Sequence, residues 1–120
     1  MKFARIVFAV AGIWGVLILI PLYWMAGTIG RQYPPPITHA DFYYGFVAVA
    51  LAWQIAFLVI AKEPRRFRPL MIPAIVEKFG YCATLLVLYA TGELALGQML
   101  VGSPDLLLGA LFVAAFFAAR

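Results

Sequence analysis

Residues 41–61 read Asp41-Phe42-Tyr43-Tyr44-Gly45-Phe46-Val47-Ala48-Val49-Ala50-Leu51-Ala52-Trp53-Gln54-Ile55-Ala56-Phe57-Leu58-Val59-Ile60-Ala61. The chain then turns abruptly to Lys62-Glu63-Pro64-Arg65-Arg66-Phe67-Arg68-Pro69. A helix of about 20 apolar residues crosses a hydrocarbon core of ~30 Å. The first stretch has that length and carries its only charge at the start, so it predicts a spanning helix. The second is short, basic and broken by proline, so it predicts a loop at a membrane surface.

Working outward, an apolar run over about 3–25 follows Lys2 and Arg5. It begins like a signal peptide, but Ile18 to Trp24 prolong it and no small-x-small cleavage site follows cleanly, so it reads as an uncleaved span. Ala11, Gly12 and Gly15 make a surface where another helix, from this chain or a second copy, can approach closely. Tyr23 and Trp24 fit an interfacial aromatic belt. Between these spans Gly27 to Ala40 reads as a loop in which Tyr33-Pro34-Pro35-Pro36 is extended. Thr38 followed three residues later by Asp41 resembles a capping box for the next helix.

Downstream, a third span is expected over about 69–90, with Pro69 in its first turn and Pro73 placing any kink near the membrane surface. Thr91 to Ser103 contains Gly92, Gly97, Gly102 and the single charge Glu93. Its leucines make it too apolar for a free loop, which predicts a short interfacial segment. Ser103-Pro104-Asp105 then reads as cap, first helical position and acidic first turn of a fourth span over about 104–119, short for a full crossing.

The composition agrees: 66% of residues are hydrophobic and 12% charged, against roughly 45–50% and about 25% in soluble domains. The mean hydropathy is +0.99. The expected fold is therefore an all-α integral membrane four-helix bundle, one transmembrane domain over 1–120. Lys2, Arg5, Lys62, Arg65, Arg66, Arg68 and Arg120 fall on one side and Arg31 on the other. By the positive-inside rule both termini are expected on the cytoplasmic side of a bacterial-type inner membrane. The net charge of +4 thus reads as a topology signal and a contact to lipid headgroups, and no nucleic-acid partner is expected. Cys82 is the single cysteine and His39 the single histidine, so no internal disulfide, cysteine metal site or bis-histidine haem is available. No metal, cofactor or catalytic constellation is predicted.

Ionisable residues inside a membrane are expensive and face protein or the interface. Glu77 and Lys78 are adjacent in the third span, and Glu77 lies about 13 Å along the helix from Arg68 at 1.5 Å per residue. Neighbouring side chains project about 100° apart, so the two cannot face one way. If the long Lys78 stem snorkels to headgroups, Glu77 is left pointing into the bundle. Gln54 sits about 12 Å from Lys62 on the second span, and Tyr81 lies one turn above Glu77. A cluster of Gln54, Glu77 and Tyr81 between the second and third helices is expected. Its first reading is structural glue at ~1 kcal/mol per interhelical hydrogen bond. Its functional reading is a ligand site in which Glu77 and Gln54 fix a polar head while Trp53, Trp14 and Phe57 line an apolar cavity.

Trp53-Gln54-Ile55-Ala56-Phe57 is similar to the aromatic-Gln-x-x-Phe stretch of the EXPERA superfamily of sterol isomerases and sigma-2-type sterol-binding proteins. Arg68-Pro69 with Pro73-Ala74-Ile75 resembles the start of their third span. The resemblance covers about thirty residues, and where that family carries an acid shortly before the glutamine this chain has Ala50. It implies a helical bundle with a lipid-binding cavity. DoxX-like bacterial proteins resemble the chain in size and span count. The function expected is non-enzymatic: binding of a lipid-like ligand or of a partner's helices through the second and third spans. The alternatives are an enzyme on a membrane-dissolved substrate with Glu77 as acid/base beside Tyr81 or Lys78, and an oligomeric proton-linked transporter dimerised through Gly12 and Gly15. Membrane lipids, a hydrophobic small molecule, and a homo-oligomer or larger membrane complex are the partners these readings imply.

Overall fold

The structure, a computed structural model, describes residues 2–120 and is all-α. Its helices are α1 (Lys2–Leu19), α2 (Ala26–Gln32), α3 (Ala40–Lys62), α4 (Met71–Ala90), α5 (Leu96–Val101) and α6 (Pro104–Ala118). Tight 3₁₀ turns extend α1 through Ile20–Trp24, where Pro21 sits in the first turn, and precede α4 at Arg68–Leu70, where Pro69 does the same. Four stretches are long and apolar enough to cross a membrane: Lys2–Trp24, Ala40–Lys62, Arg68–Ala90 and Leu96–Ala118, each of 23 residues. The described chain is thus built as a multi-pass membrane protein.

Several local expectations need correction. The first half of the loop after the first span is helical, as α2, and the proline run follows it without helix. Thr38 does not cap α3: the residue before the helix is His39, and no side-chain cap bond forms. Nor does Ser103 cap α6; it is itself helical in φ and ψ, and its hydroxyl donates backward to the Leu100 carbonyl. Its backbone continues the turn that joins α5 to α6, so the fourth span is no shorter than the others. Leu96–Val101 packs against α4, and its start is held by Gln98, whose side-chain oxygen accepts from the Ala95 N–H at 3.0 Å.

α1 packs along α3, α4 along α6, and α1 against α6, whereas α3 and α4 scarcely meet. Small residues set these approaches. A Cβ at Gly12 would lie 2.7 Å from the Leu58 side chain, and one at Gly15 would collide with Gln54 Oε1. At Gly109 it would come within 3.2 Å of Lys78 Cβ. The Gly12–Gly15 surface is therefore filled by α3 of the same chain, which removes it as a dimer face.

The apolar core gathers where the termini and the 62–70 loop meet. Phe8 stacks on Phe112 with centroids 4.2 Å apart, and Phe57 meets Phe112 edge-on at 4.9 Å. Ala4, Ala11, Ile60, Met71, Ala74 and Ala115 close around them. Arg68 clamps this end: its Nε donates to the Phe116 carbonyl at 2.8 Å, and its guanidinium lies 3.7 Å from the Phe116 ring centroid. At the other end Tyr43 donates its hydroxyl to the Leu22 carbonyl at 2.6 Å, and Tyr23 stacks on Tyr44.

Candidate functional site

Because α3 and α4 do not pack together, the ring of four spans stays open on one side. A cavity of about 260 Å³ occupies the gap. Each helix contributes one face. α1 offers Trp14, Gly15, Ile18 and Leu19 at spacings of one and four, and α3 offers Phe46, Ala50 and Gln54 at spacings of four. α4 adds Glu77, Lys78 and Tyr81, and the α5–α6 junction adds Gly102 and Asp105. These are the periodicities of side chains stacked on one helical surface. Phe46 and Tyr81 bridge the gap with near-parallel rings 6.2 Å apart.

The polar groups converge at the inner wall. Lys78 is 3% exposed; its Nζ donates to Asp105 Oδ1 at 3.2 Å and lies 3.6 Å from Glu77 Oε2. The same ammonium faces the Phe57 ring at 5.3 Å. Of the two orientations open to Lys78, the structure shows the inward one: it does not snorkel but turns toward α6, while Glu77 is the more exposed of the pair, at 22%. Gly109 is one reason, since its missing side chain lets α6 come close to the Lys78 stem. Asp105, expected only as an acidic first turn, is the partner that sequence reasoning missed. The available signal was charge balance. A lysine committed to the interior needs an acid at membrane depth, and Asp105 lies there once Leu96–Val101 is counted into the fourth span.

Gln54 is 2% exposed and its Nε2 donates to the Ala50 carbonyl one turn back at 2.9 Å. It is not interhelical glue, because that bond stays within α3. A carbonyl can only accept, so the amide nitrogen is fixed on that side and the oxygen points away from it. Gln54 Oε1 has no hydrogen-bond partner, and neither has Glu77 Oε2. Gln54, Glu77 and Tyr81 do share the cavity wall as the sequence suggested, yet among the described residues no hydrogen bond joins them. Trp14 lines the cavity too. Trp53 does not: it packs on the apolar core beside Phe57, 6.4 Å between centroids, and Phe57 itself is fully buried in that core. Both follow from helical phase, with Trp53 rotated about 100° from Gln54.

A second, mostly apolar hollow of about 480 Å³ lies between α4 and the α5–α6 arm, lined by Phe79, Cys82, Leu86, Met99, Ser103 and Leu106. It offers, among the described residues, only the Ser103 hydroxyl and the Cys82 thiol as polar side-chain groups. Among the described residues no group of three or more His, Cys, Asp or Glu side chains is placed to hold a metal ion. What the first cavity can do chemically is hold a polar head beside a buried lysine and its two carboxylates, with aromatic and branched walls for an apolar body. Comparison with family models, with curated proteins and with solved structures found no match.

Proposed function

We propose that this chain is a membrane binding protein whose inter-pair cavity takes an amphiphile from the surrounding lipid. The observation that carries the reading is the cavity itself, a hollow of about 260 Å³ between the helix pairs whose hydrocarbon sides lead to a wall that gathers Gln54, Glu77, Lys78 and Asp105. The volume falls just below the ~300–1,000 Å³ usual for small-molecule sites, which suits one slender chain. A lipid-binding bundle is also what the similarity to EXPERA proteins implies. The chain is placed with both termini and the arginine-rich loop on the cytoplasmic side of a bacterial-type inner membrane, on the strength of the Lys and Arg asymmetry.

Filling the cavity tests the reading. Ala50 lines it beside Gln54, and Ala50→Phe puts a ring into the space. Both proteins are purified from native membranes in mild detergent, and their extracted lipids are compared by mass spectrometry. A species retained stoichiometrically by the parent and lost from the variant is the expected result. Identical lipid profiles, with the variant still folded by circular dichroism, would refute ligand binding at this site.

A further inference from the structure

We infer that the cavity prefers a guest with a positively charged, hydrogen-bond-donating head, an alkyl ammonium, and rejects carboxylates. The inference rests on the binding reading above and adds the chemistry of the head. The two side-chain atoms of this wall that lack a hydrogen bond, Gln54 Oε1 and Glu77 Oε2, are acceptors, the first packed on Gly15 and the second facing the Lys78 ammonium at 3.6 Å. The nearest donor, the Lys78 ammonium, is already engaged by Asp105 and Glu77. The charges are unequal as well. Lys78 is the single cation lining the cavity, and it faces two carboxylates. A guest ammonium brings the count to balance, and a low-dielectric site favours it for that reason. A carboxylate would add a third negative charge and further acceptors. The rings of Trp14, Phe46 and Tyr81 on the walls suit a cation's faces and an alkyl chain equally.

The test uses the full chain in phosphatidylcholine nanodiscs, carrying Trp24→Phe and Trp53→Phe so that Trp14, on the cavity wall, reports by fluorescence. The probes are decylamine, decanol and decanoate, which share one chain length. Decylamine should bind saturably, with decanol weaker by about tenfold and decanoate weaker still, the scale set by charge-assisted bonds. Glu77→Gln keeps the shape and removes the charge, so it should bring decylamine and decanol to near-equal affinity. A decylamine preference unchanged by Glu77→Gln, or decanoate binding as tightly as decylamine, overturns the head assignment while leaving the cavity reading intact. Absence of a saturable signal from all three probes overturns both. A response that survives Ala50→Phe is partition into the bilayer and likewise overturns the assignment.

Discussion

The two ends of the bundle are built on opposite principles. Around Phe8, Phe57 and Phe112 all four spans touch, the side chains are apolar, and Arg68 ties the 62–70 loop to the last turn of α6. Beyond Gln54 the helix pairs α1–α3 and α4–α6 part, and the space holds one lysine, two carboxylates and an amide. Lipid is as apolar as leucine, so water exclusion does not drive the spans together; van der Waals packing and polar bonds between helices do. The closed end uses the first of these and the open end the second. The open end therefore carries the sites a guest can alter, and the closed end sets whether the pairs stay together.

The largest effect that would break this contrast is at Lys78. Lys78→Met leaves Glu77 and Asp105 as uncompensated charges at membrane depth, and breaking a buried pair in this way costs about 3–5 kcal/mol. Unfolding in mixed micelles, titrated with dodecyl sulfate, should show that loss. Adding Glu77→Gln and Asp105→Asn to Lys78→Met should restore most of it, because neutral groups need no counter-ion. A triple variant as unstable as the single one would mean that Lys78 acts by its bulk.

Phe112→Ala probes the closed end. In water-soluble cores such a change costs about 3–5 kcal/mol, part of it the transfer of the ring from water. Here that transfer part is largely absent, and the void left between Phe8 and Phe57 should cost about 2 kcal/mol by the same titration. A loss matching Lys78→Met would place the two ends on one footing and dissolve the distinction drawn above.

How much of this was legible beforehand follows the same divide. The spans could be read because a run such as 41–61 has no other stable solution in a chain this apolar, and the loop at 62–69 because charge and proline interrupt it. The helical phase could not. Where nearly every side chain is apolar, a helix has little amphipathic amplitude to say which face turns inward. The pattern accordingly leaves Lys78 free to snorkel or to turn inward, and it does not separate Trp53 from the cavity-facing Gln54 one residue on. Asp105 was hidden differently: 27 positions separate it from Lys78, and its local pattern after Pro104 gave it an adequate purpose as a dipole partner. Gly12 and Gly15 announced a close helix approach without saying whose helix.

Those glycines give a smaller test of the open end. At Gly15 a Cβ collides with Gln54 Oε1, so Gly15→Ala has to turn the amide away from its place or push α1 off α3. Overpacking of this kind costs about 1–2 kcal/mol. At Gly80 a Cβ meets nothing within 4 Å, and Gly80→Ala should be neutral or stabilise by about 0.5–1 kcal/mol through the lower chain entropy of alanine. Equal behaviour at the two positions would show that α1 and α3 are not held at the separation described.

Arg68→Lys gives the smallest expected loss and the finest test, since it keeps the charge and discards the geometry. A lysine at that position still attracts the carbonyl end of α6, where positive charge is favourable. It cannot at once donate to the Phe116 carbonyl and lie flat on the Phe116 ring, as the planar guanidinium does. The loss should be about 1 kcal/mol, the sum of a modest net hydrogen bond and a partly exposed cation–π contact. Decylamine affinity should not change, because neither group reaches the cavity lining. If Arg68→Lys shifted that affinity by more than threefold, the closed end would be transmitting its packing to the gap between α3 and α4, and the two ends would form one coupled unit instead of a clamp and a separate site.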